Sequence, residues 1–133
     1  MSPVWTLDAR CALVVFGHGS RDPVWAETLV ALSDRIRRAM PGLGVELAYL
    51  EFMTPTLGEC VQGLWQRGCR EIAVLPAFVA EGAHLRQQLP ELVERAGSDR
   101  AGLTIRLLPA MGDLPDVQEG VVRYLKVKLA RSN

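Results

Sequence analysis

Two short segments of the chain are entirely apolar, and they constrain the fold more than any other feature. Residues 12–16 read ALVVF and residues 72–78 read IAVLPAF. A continuously apolar, β-branched strand is buried on both faces, as the strands of a parallel sheet are. Parallel strands must be joined by a long crossover, which is usually a helix. The chain is therefore expected to form an α/β domain.

Helical spacing of apolar residues fills the intervals between the strands. Two further segments, 45–50 and 103–108, alternate polar and apolar residues as edge strands do. Between the strands, apolar side chains recur at steps of three and four residues, which is the helical pattern. The resulting order is βαβαβαβα, a three-layer αβα domain with a four-stranded parallel sheet. With right-handed crossovers and the two apolar strands at the centre, the predicted strand order is 2-1-3-4.

Local signals predict where the helices begin. Asp22–Pro23 and Thr54–Pro55 each place a capping side chain before a proline, which predicts a helix start at both points. Pro90 fits the first turn of the third helix better than its interior, so that helix is predicted to begin near it, with Leu85 to Gln88 as a separate turn before it. The first helix is expected to pack a face formed by Trp25, Leu29, Leu32, Ile36 and Ala39. The last helix, about 114–130, is expected to bury a stripe formed by Val117, Val121, Leu125 and Lys128.

Composition excludes several classes of function. Lysine and arginine number 15, as do aspartate and glutamate, so net charge does not indicate a nucleic-acid or membrane partner. No apolar run is long enough to cross a bilayer, and the N-terminus lacks the pattern of a signal peptide. Cys11, Cys60 and Cys69 fall in no C-x-x-C spacing and are typical of a reduced cytoplasmic protein. We expect one domain over residues 11–133, preceded by an N-terminal arm of residues 1–10.

The only two histidines of the chain are predicted to lie on either side of one crevice. In the order 2-1-3-4 the chain leaves the first and third strands toward opposite faces, and ligands bind where this switch occurs. His18 follows the first strand and His84 follows the third, while Glu51 follows the second strand at the same edge. Two imidazoles and a carboxylate suit a divalent first-row metal ion. The imidazoles would also serve as bases near neutral pH.

Other polar residues near this edge leave alternatives open. Glu81 lies in the loop that leads to His84 and competes with Glu51 as the acidic partner. Arg21 and Arg86 lie close to the histidines and are suited to bidentate pairing with ligand carboxylates. For Glu51, Arg21 and Arg86, a solvated loop side chain is at least as good an interpretation. A histidine in a glycine-rich turn is also more often a hydrogen-bonded loop residue than a ligand.

Several familiar catalytic motifs are absent from the sequence. Residues 17–22 read GHGSRD and lack the third glycine of a dinucleotide fingerprint. Ser20 is not framed as G-x-S-x-G, so the nucleophile elbow of an α/β-hydrolase is missing. No phosphate-binding G-x-x-x-x-G-K-[ST] loop occurs. A hydrolase or phosphotransferase reaction is therefore not favoured.

Three motifs resemble those of the sirohydrochlorin chelatase family, the ATP-independent class II tetrapyrrole chelatases of the CbiX type. They are LVVFGHGSR at residues 13–21, YLEFMTP at 49–55, and LPAF at 75–78 running on to GAH at 82–84. The resemblance extends from Cys11 to about Leu129. Ala83 stands where a glycine is common in the family, and Phe52 replaces a usual aliphatic residue.

The resemblance implies a function and a set of site residues. In the family, two histidines that match His18 and His84 bind the incoming metal and help to deprotonate the macrocycle, and an acidic residue matches Glu51. The implied reaction inserts Co²⁺, Fe²⁺ or Ni²⁺ into sirohydrochlorin, in cobalamin, siroheme or nickel tetrapyrrole synthesis. No nucleotide or tightly bound cofactor is needed. The short, single-domain form is implied to act as a homodimer. Rim carboxylates of the macrocycle would be bound by Ser20, Arg21 and Arg86.

Two further functions stay open at the level of the sequence. The first is a metal-binding or metal-delivery protein that uses the same histidines, which would retain metal without converting sirohydrochlorin. The second is a regulatory or assembly subunit that binds a tetrapyrrole without acting on it. Such a subunit would bind the tetrapyrrole with no metal-dependent change in its absorption spectrum.

Overall fold

A computed structural model describes residues 10–130 as an α/β fold around one parallel sheet. The strands are β1 (Cys11–Gly17), β2 (Gly44–Tyr49), β3 (Glu71–Pro76) and β4 (Thr104–Leu107). The helices are α1 (Glu27–Ala39), α2 (Leu57–Gln66), α3 (Ala83–Gly97) and α4 (Pro115–Lys128). The sheet order is β2-β1-β3-β4 with all neighbours parallel, which confirms the predicted order. The predicted N-terminal arm, except Arg10, lies outside the described residues.

Strand β1 is buried along its whole length because helices cover both of its faces. On one face, α2 and α3 pack over a core that includes Val14, Phe16, Ile72 and Val74. On the other face, α1 packs over a smaller core. The buried members of this second core are Leu13, Val15, Leu29, Val45 and Tyr49. In residues 10–130, no helix combines the length and apolarity needed to span a membrane.

The first predicted helix is divided in two. Asp22 accepts a hydrogen bond from the Val24 N–H (3.0 Å), as predicted for a cap, but it closes a short 3₁₀ turn over Pro23–Ala26. The α-helix begins only at Glu27. Leu29 is buried and Leu32 and Ile36 pack beside it, whereas Trp25 and Ala39 are exposed. The structure therefore confirms the middle of the predicted packing face, at Leu29, Leu32 and Ile36, but not its two ends.

The start of α2 differs from the prediction by two residues. Thr56, not Thr54, caps the helix: its hydroxyl accepts from the Glu59 N–H (3.2 Å), and the Glu59 carboxylate accepts from the Thr56 N–H (3.0 Å). This reciprocal pair satisfies two backbone donors at once, which a cap at Thr54 followed by proline does not do. The Thr54–Pro55 peptide bond is cis.

Helix α3 begins seven residues before Pro90, so the predicted start at that proline is wrong. Pro90 lies inside Ala83–Gly97. An interior proline forfeits one backbone hydrogen bond. The first turns of α3 nevertheless bring Leu85 and Leu89 onto the core, and Leu89 is 2% exposed. Burial of these side chains offsets the lost hydrogen bond, and it places His84 in the first turn of the helix.

Helix α4 does not bury the stripe predicted for it. None of its residues is buried, and Val121 and Leu125 are 55% and 44% exposed. The helix packs mainly against the 3₁₀ turn Met111–Asp113 that precedes it. The predicted helix is therefore confirmed, but the described part of the same chain does not cover the apolar side of this helix.

The capping pair predicts a specific loss of stability. Thr56→Ala should lower the free energy of unfolding by about 1 kcal/mol at pH 7, because the Glu59 N–H loses its acceptor. Thr54→Ala is the matched control and should leave stability unchanged. Urea unfolding followed by circular dichroism measures both. Equal losses in the two variants would contradict the assignment of the cap.

The same pair predicts a pH dependence. Hydrogen bonds from the Thr56 backbone and side chain lower the pKa of Glu59 below its ordinary value of 4.5 in the folded protein. Stability from this group is therefore fully present above pH 4.5 and is lost as the pH falls from 4.5 through the lowered pKa of the folded protein. Glu59→Gln should be less stable than the parent protein at pH 7, with a difference that shrinks as the pH approaches the lowered pKa. A difference that does not change with pH would contradict this.

The cysteines are expected to be chemically inert while the protein is folded. All three are buried and none forms a disulfide. Burial, the largest cause, raises the pKa of Cys60 to about 12, and burial also raises the pKa of Cys69. At pH 8, Cys60 should react with iodoacetamide about three orders of magnitude more slowly than an ordinary thiol. Mass spectrometry should show three alkylated cysteines only after unfolding; rapid labelling of folded protein would refute this.

Candidate functional site

Two glycines shape the turn that carries His18 away from the end of β1. A Cβ on Gly17 would lie 2.5 Å from Leu29 Cδ1, so a larger residue would displace the Leu29 side chain that α1 packs there. Gly19 has a φ of +93°, and a Cβ there would lie 1.8 Å from the backbone oxygen of Glu51. Only glycine permits both this conformation and this close approach. The turn therefore holds the backbone of Glu51 directly beside His18.

His18 and Glu51 form an exposed pair at the carboxyl edge of the sheet. Nδ1 of His18 lies 3.6 Å from Oε1 of Glu51, and the side chains are 51% and 48% exposed. The backbones are joined as well, because the Glu51 N–H donates to the His18 carbonyl (3.2 Å) and the Leu50 N–H donates to the Gly17 carbonyl (2.9 Å). An imidazole and a carboxylate so placed can share a divalent cation or exchange a proton with a bound ligand.

An aromatic side chain that the sequence analysis did not select forms one wall of this site. The rings of His18 and Phe78 lie edge to face, with centroids 5.8 Å apart and an interplanar angle of 62°. Phe78 in turn packs against Phe16, with centroids 6.2 Å apart, and is 6% exposed. The buried ring fixes one side of the imidazole and leaves the other to solvent. The sequence did contain a signal for this wall, because Phe78 is an aromatic residue just after β3, the strand that neighbours β1.

Ser20 and Arg21 line a neighbouring cavity of about 460 Å³. The Arg21 guanidinium lies 4.7 Å from the centroid of the Phe52 ring, which is 55% exposed. Stacking of this kind leaves the guanidinium N–H groups able to pair with carboxylates. Ser20 Oγ accepts a hydrogen bond from the Asp22 N–H (3.0 Å), so its first role is to form the turn. The cavity is also lined by Pro23, Ala26, Tyr49, Phe52, Met53 and Thr54.

His84, Glu81 and Arg86 lie beyond the end of β3. The His84 side chain is exposed and borders a separate groove on α3 with Gln88 and Glu91. Arg86 Nε lies 3.7 Å from Oε1 of Glu81, a carboxylate that is only 13% exposed. Of the two candidate acidic partners, Glu51 therefore adjoins His18, while Glu81 is paired with an arginine.

The three predicted metal ligands do not form one coordination group within a single chain. Among residues 10–130, no three histidine, cysteine, aspartate or glutamate side chains are grouped so that they could hold a metal ion. The structure brings His18 and Glu51 together and leaves His84 outside that pair. One copy therefore offers two adjacent ligands open to solvent and a third imidazole at the start of α3.

Comparison with known proteins connects the chain to one family. The CbiX family model matches residues 12–127. The sirohydrochlorin cobaltochelatase of Methanocaldococcus jannaschii is 37% identical over 82 residues, which are 62% of this chain and 57% of that protein. The sirohydrochlorin cobaltochelatase of Methanosarcina barkeri is 31% identical over 84 residues, which are 63% of this chain and 65% of that protein. The matched segment thus spans less than two thirds of either relative.

Solved structures agree with the fold. A protein named as a cobalamin (vitamin B12) biosynthesis CbiX protein, from Marinobacter aquaeolei VT8, superposes with a TM-score of 0.78 at 30% identity. That match covers 92% of this chain and 99% of the other. The sirohydrochlorin chelatase SirB of Bacillus subtilis subspecies spizizenii, solved in complex with cobalt, superposes with a TM-score of 0.68 at 26% identity. It covers 89% of this chain but only 50% of SirB.

The geometry around Gly19 predicts that this position accepts no side chain. Gly19→Ala should lower the free energy of unfolding by about 1–3 kcal/mol or more, because a left-handed backbone and a clash with the Glu51 carbonyl combine. Gly63→Ala is the control, since Gly63 lies inside α2 with nothing within 4 Å of a new Cβ. That variant should gain about 0.5–1 kcal/mol. Urea unfolding compares the two, and a neutral Gly19→Ala would contradict the described turn.

Proposed function

Because the chain belongs to the CbiX family, we propose that it inserts a divalent metal ion into sirohydrochlorin or a related tetrapyrrole without using ATP. Residues 11–133 would act as one chelatase-like domain. The observation that carries the proposal is the exposed pair formed by His18 and Glu51 at the carboxyl edge of the sheet. This is the edge at which open α/β sheets bind their ligands.

The site residues suit the two chemical requirements of metal insertion. The ion must be held loosely enough to be released, and two ligands open to solvent meet this requirement better than a closed set of four. The two N–H protons of the macrocycle must leave as the metal enters, so that charge is conserved. Imidazole is suited to accept such protons near neutral pH. We assign this role to His18 and His84, with Glu51 as the ligand that shares the ion with His18.

The surroundings of the pair suit a flat macrocycle with carboxylates on its rim. Phe52 and Val79 follow β2 and β3 at the same edge and are 55% and 83% exposed. Apolar side chains that are open to solvent here would cover the face of the macrocycle. Arg21, held over Phe52, and Arg86 would pair with rim carboxylates, and Ser20 would lie beside them. Binding by Arg86 would require it to leave Glu81.

We propose that the working unit is a homodimer whose copies face each other around the macrocycle. Within one copy, only two of the three predicted ligands, His18 and Glu51, lie side by side. A second copy facing the first would supply the third ligand. This chain also covers 50% of SirB, a size relation that two copies would match. The reduced, buried cysteines support a cytoplasmic location as part of the same proposal.

Cobalt is the first choice of metal, and iron and nickel are the alternatives. The names of the matched relatives specify cobalt, and the SirB structure contains it. Imidazole and carboxylate ligands suit all three ions, so ligand chemistry alone does not select one. Cobalt would place the reaction in cobalamin synthesis and iron would place it in siroheme synthesis.

The proposal is tested by mixing the protein with sirohydrochlorin and Co²⁺, Ni²⁺ or Fe²⁺ while recording the absorption spectrum. Metal insertion should follow single-exponential kinetics under excess metal, fastest with Co²⁺. His18→Ala and His84→Ala should each lower the insertion rate by about 10²–10⁴-fold, the usual contribution of an acid–base group. Both imidazoles are exposed, so circular dichroism should be unchanged.

Carboxamide variants provide a matched control. Glu51→Gln should slow insertion, whereas Glu81→Gln should retain more than half of the parent rate. Full activity in both histidine variants would refute the site assignment. Metal retained without conversion of sirohydrochlorin would indicate a delivery protein, and tetrapyrrole binding with no metal-dependent spectral change would indicate a binding subunit.

A further inference from the structure

The backbone of Phe52 adopts a conformation that aromatic residues rarely take. Its φ is +67°, which lies in the left-handed region that favours glycine. Strain of this kind persists only where the surroundings impose it, and it is concentrated at sites that bind ligands. Burial of the side chain does not offset the strain here, because Phe52 is 55% exposed. The chain therefore holds an aromatic ring in solvent at a cost in conformational energy.

Backbone hydrogen bonds on both sides hold the loop that carries Phe52. The Glu51 N–H donates to the His18 carbonyl (3.2 Å) just before Phe52. The Tyr49 N–H donates to the Pro55 carbonyl (2.9 Å) and closes the base of the loop. Residue 52 is thus fixed to the same backbone that positions His18, and it directly follows Glu51.

The exposed ring makes a cation–π contact with Arg21. Cζ of the guanidinium lies 4.7 Å from the ring centroid. The turn that carries Arg21 is itself fixed, because the Asp22 N–H donates to Oγ of Ser20 (3.0 Å). Within residues 10–130, no carboxylate forms an ion pair with Arg21. Its positive charge is therefore held in place and left available to a ligand.

Arg21 differs in this respect from Arg86, the other arginine considered at this edge. Arg86 Nε lies 3.7 Å from Oε1 of Glu81, whereas Arg21 is held by the face of a ring. A guanidinium held in this way keeps its N–H groups for bidentate pairing with a carboxylate. The cavity of about 460 Å³ beside Arg21 and Phe52 is within the size range of small-molecule sites.

We propose that Phe52 is a positioning residue for substrate recognition. Its ring holds Arg21 so that the guanidinium binds one carboxylate arm of the tetrapyrrole in this cavity, next to the pair formed by His18 and Glu51. The strained backbone at Phe52 is the cost of placing the ring there. This inference rests on the proposed function, because it takes a carboxylate-bearing tetrapyrrole as the ligand.

The arrangement would orient the macrocycle as well as bind it. One arm held by Arg21 prevents the flat ring from rotating over the site, so the same pyrrole N–H groups return to His18 in every encounter. Fixed orientation of this kind lowers the entropic part of a reaction barrier. Phe52 therefore acts through Arg21 and takes no part in proton transfer or metal binding.

Fluorescence titration with metal-free uroporphyrin, a carboxylate-rich porphyrin, tests the proposal without any metal insertion. Arg21→Gln should weaken binding by about 10–100-fold, the effect of losing a charged hydrogen-bonded pair. Phe52→Leu keeps an apolar side chain and should weaken binding by about 2–5-fold. In the Arg21→Gln background, Phe52→Leu should have no further effect, because the two residues act as one unit. Phe52→Tyr should retain the parent affinity.

A matched control removes the same kind of contact elsewhere. Trp65 lies near the C-terminal end of α2, and its ring centroid is 4.9 Å from Cζ of Arg70. Trp65→Leu should leave uroporphyrin affinity unchanged while its circular dichroism spectrum confirms the fold.

Two further measurements separate a ligand-positioning ring from a structural one. Glycine accepts the left-handed conformation, so Phe52→Gly should unfold at a urea concentration no lower than the parent does, although it binds uroporphyrin more weakly. In NMR spectra, the side-chain Hε of Arg21 should be shifted upfield by the ring in the parent protein. That shift should be lost in Phe52→Leu and kept in Phe52→Tyr.

Several results would overturn the proposal. They are a parent protein that does not bind uroporphyrin, additive effects of the two substitutions, an Arg21 resonance that ignores Phe52, or a clear loss of stability in Phe52→Gly. The outcomes are distinct from those of the chelatase assay. Metal insertion with unchanged binding in these variants would refute only this inference, whereas the expected binding pattern without metal insertion would refute only the proposed reaction.

Discussion

The hydrogen-bonded ladder on both sides of β1 is the interaction on which the rest of the structure depends. It fixes the sheet order, and it continues past the end of the strand, where the carbonyls of Phe16, Gly17 and His18 accept hydrogen bonds from the segments that follow β3 and β2. Because the same ladder that builds the core also reaches His18, the position of the imidazole is set by backbone geometry. A flexible loop could not hold its neighbour Glu51 with comparable precision.

The sheet was predictable because its information is local to each strand. Continuous apolarity marked β1 and β3 as central, and alternation marked β2 and β4 as edges. Helix starts were less predictable, since several capping patterns compete within a few residues. Thr56 prevailed over Thr54 because Glu59 lies three residues after it, and α3 begins before Pro90 because burial of Leu85 and Leu89 outweighs one hydrogen bond.

The predicted strand order places His18 and Glu51 at the same edge of the sheet, but it does not specify which side chains of the site contact each other. That outcome depends on individual backbone angles, such as the φ of +67° at Phe52 and of +93° at Gly19. The aromatic wall formed by Phe78 and the separate position of His84 follow from such details. Helix α4 shows a related limit: periodicity identifies an apolar side, but it does not tell whether the same chain covers that side.

The buried cysteines have a consequence for how the protein would handle metal ions. Thiolates are strong ligands for the later first-row metals, and an exposed cysteine near His18 could trap the ion that the site must give up. Cys11, Cys60 and Cys69 are all sequestered, and the thiol of Cys60 stays protonated at physiological pH. Among residues 10–130, an ion that reaches the surface therefore meets no exposed cysteine thiol. Burial of the cysteines thus also keeps thiol ligands away from the metal ion.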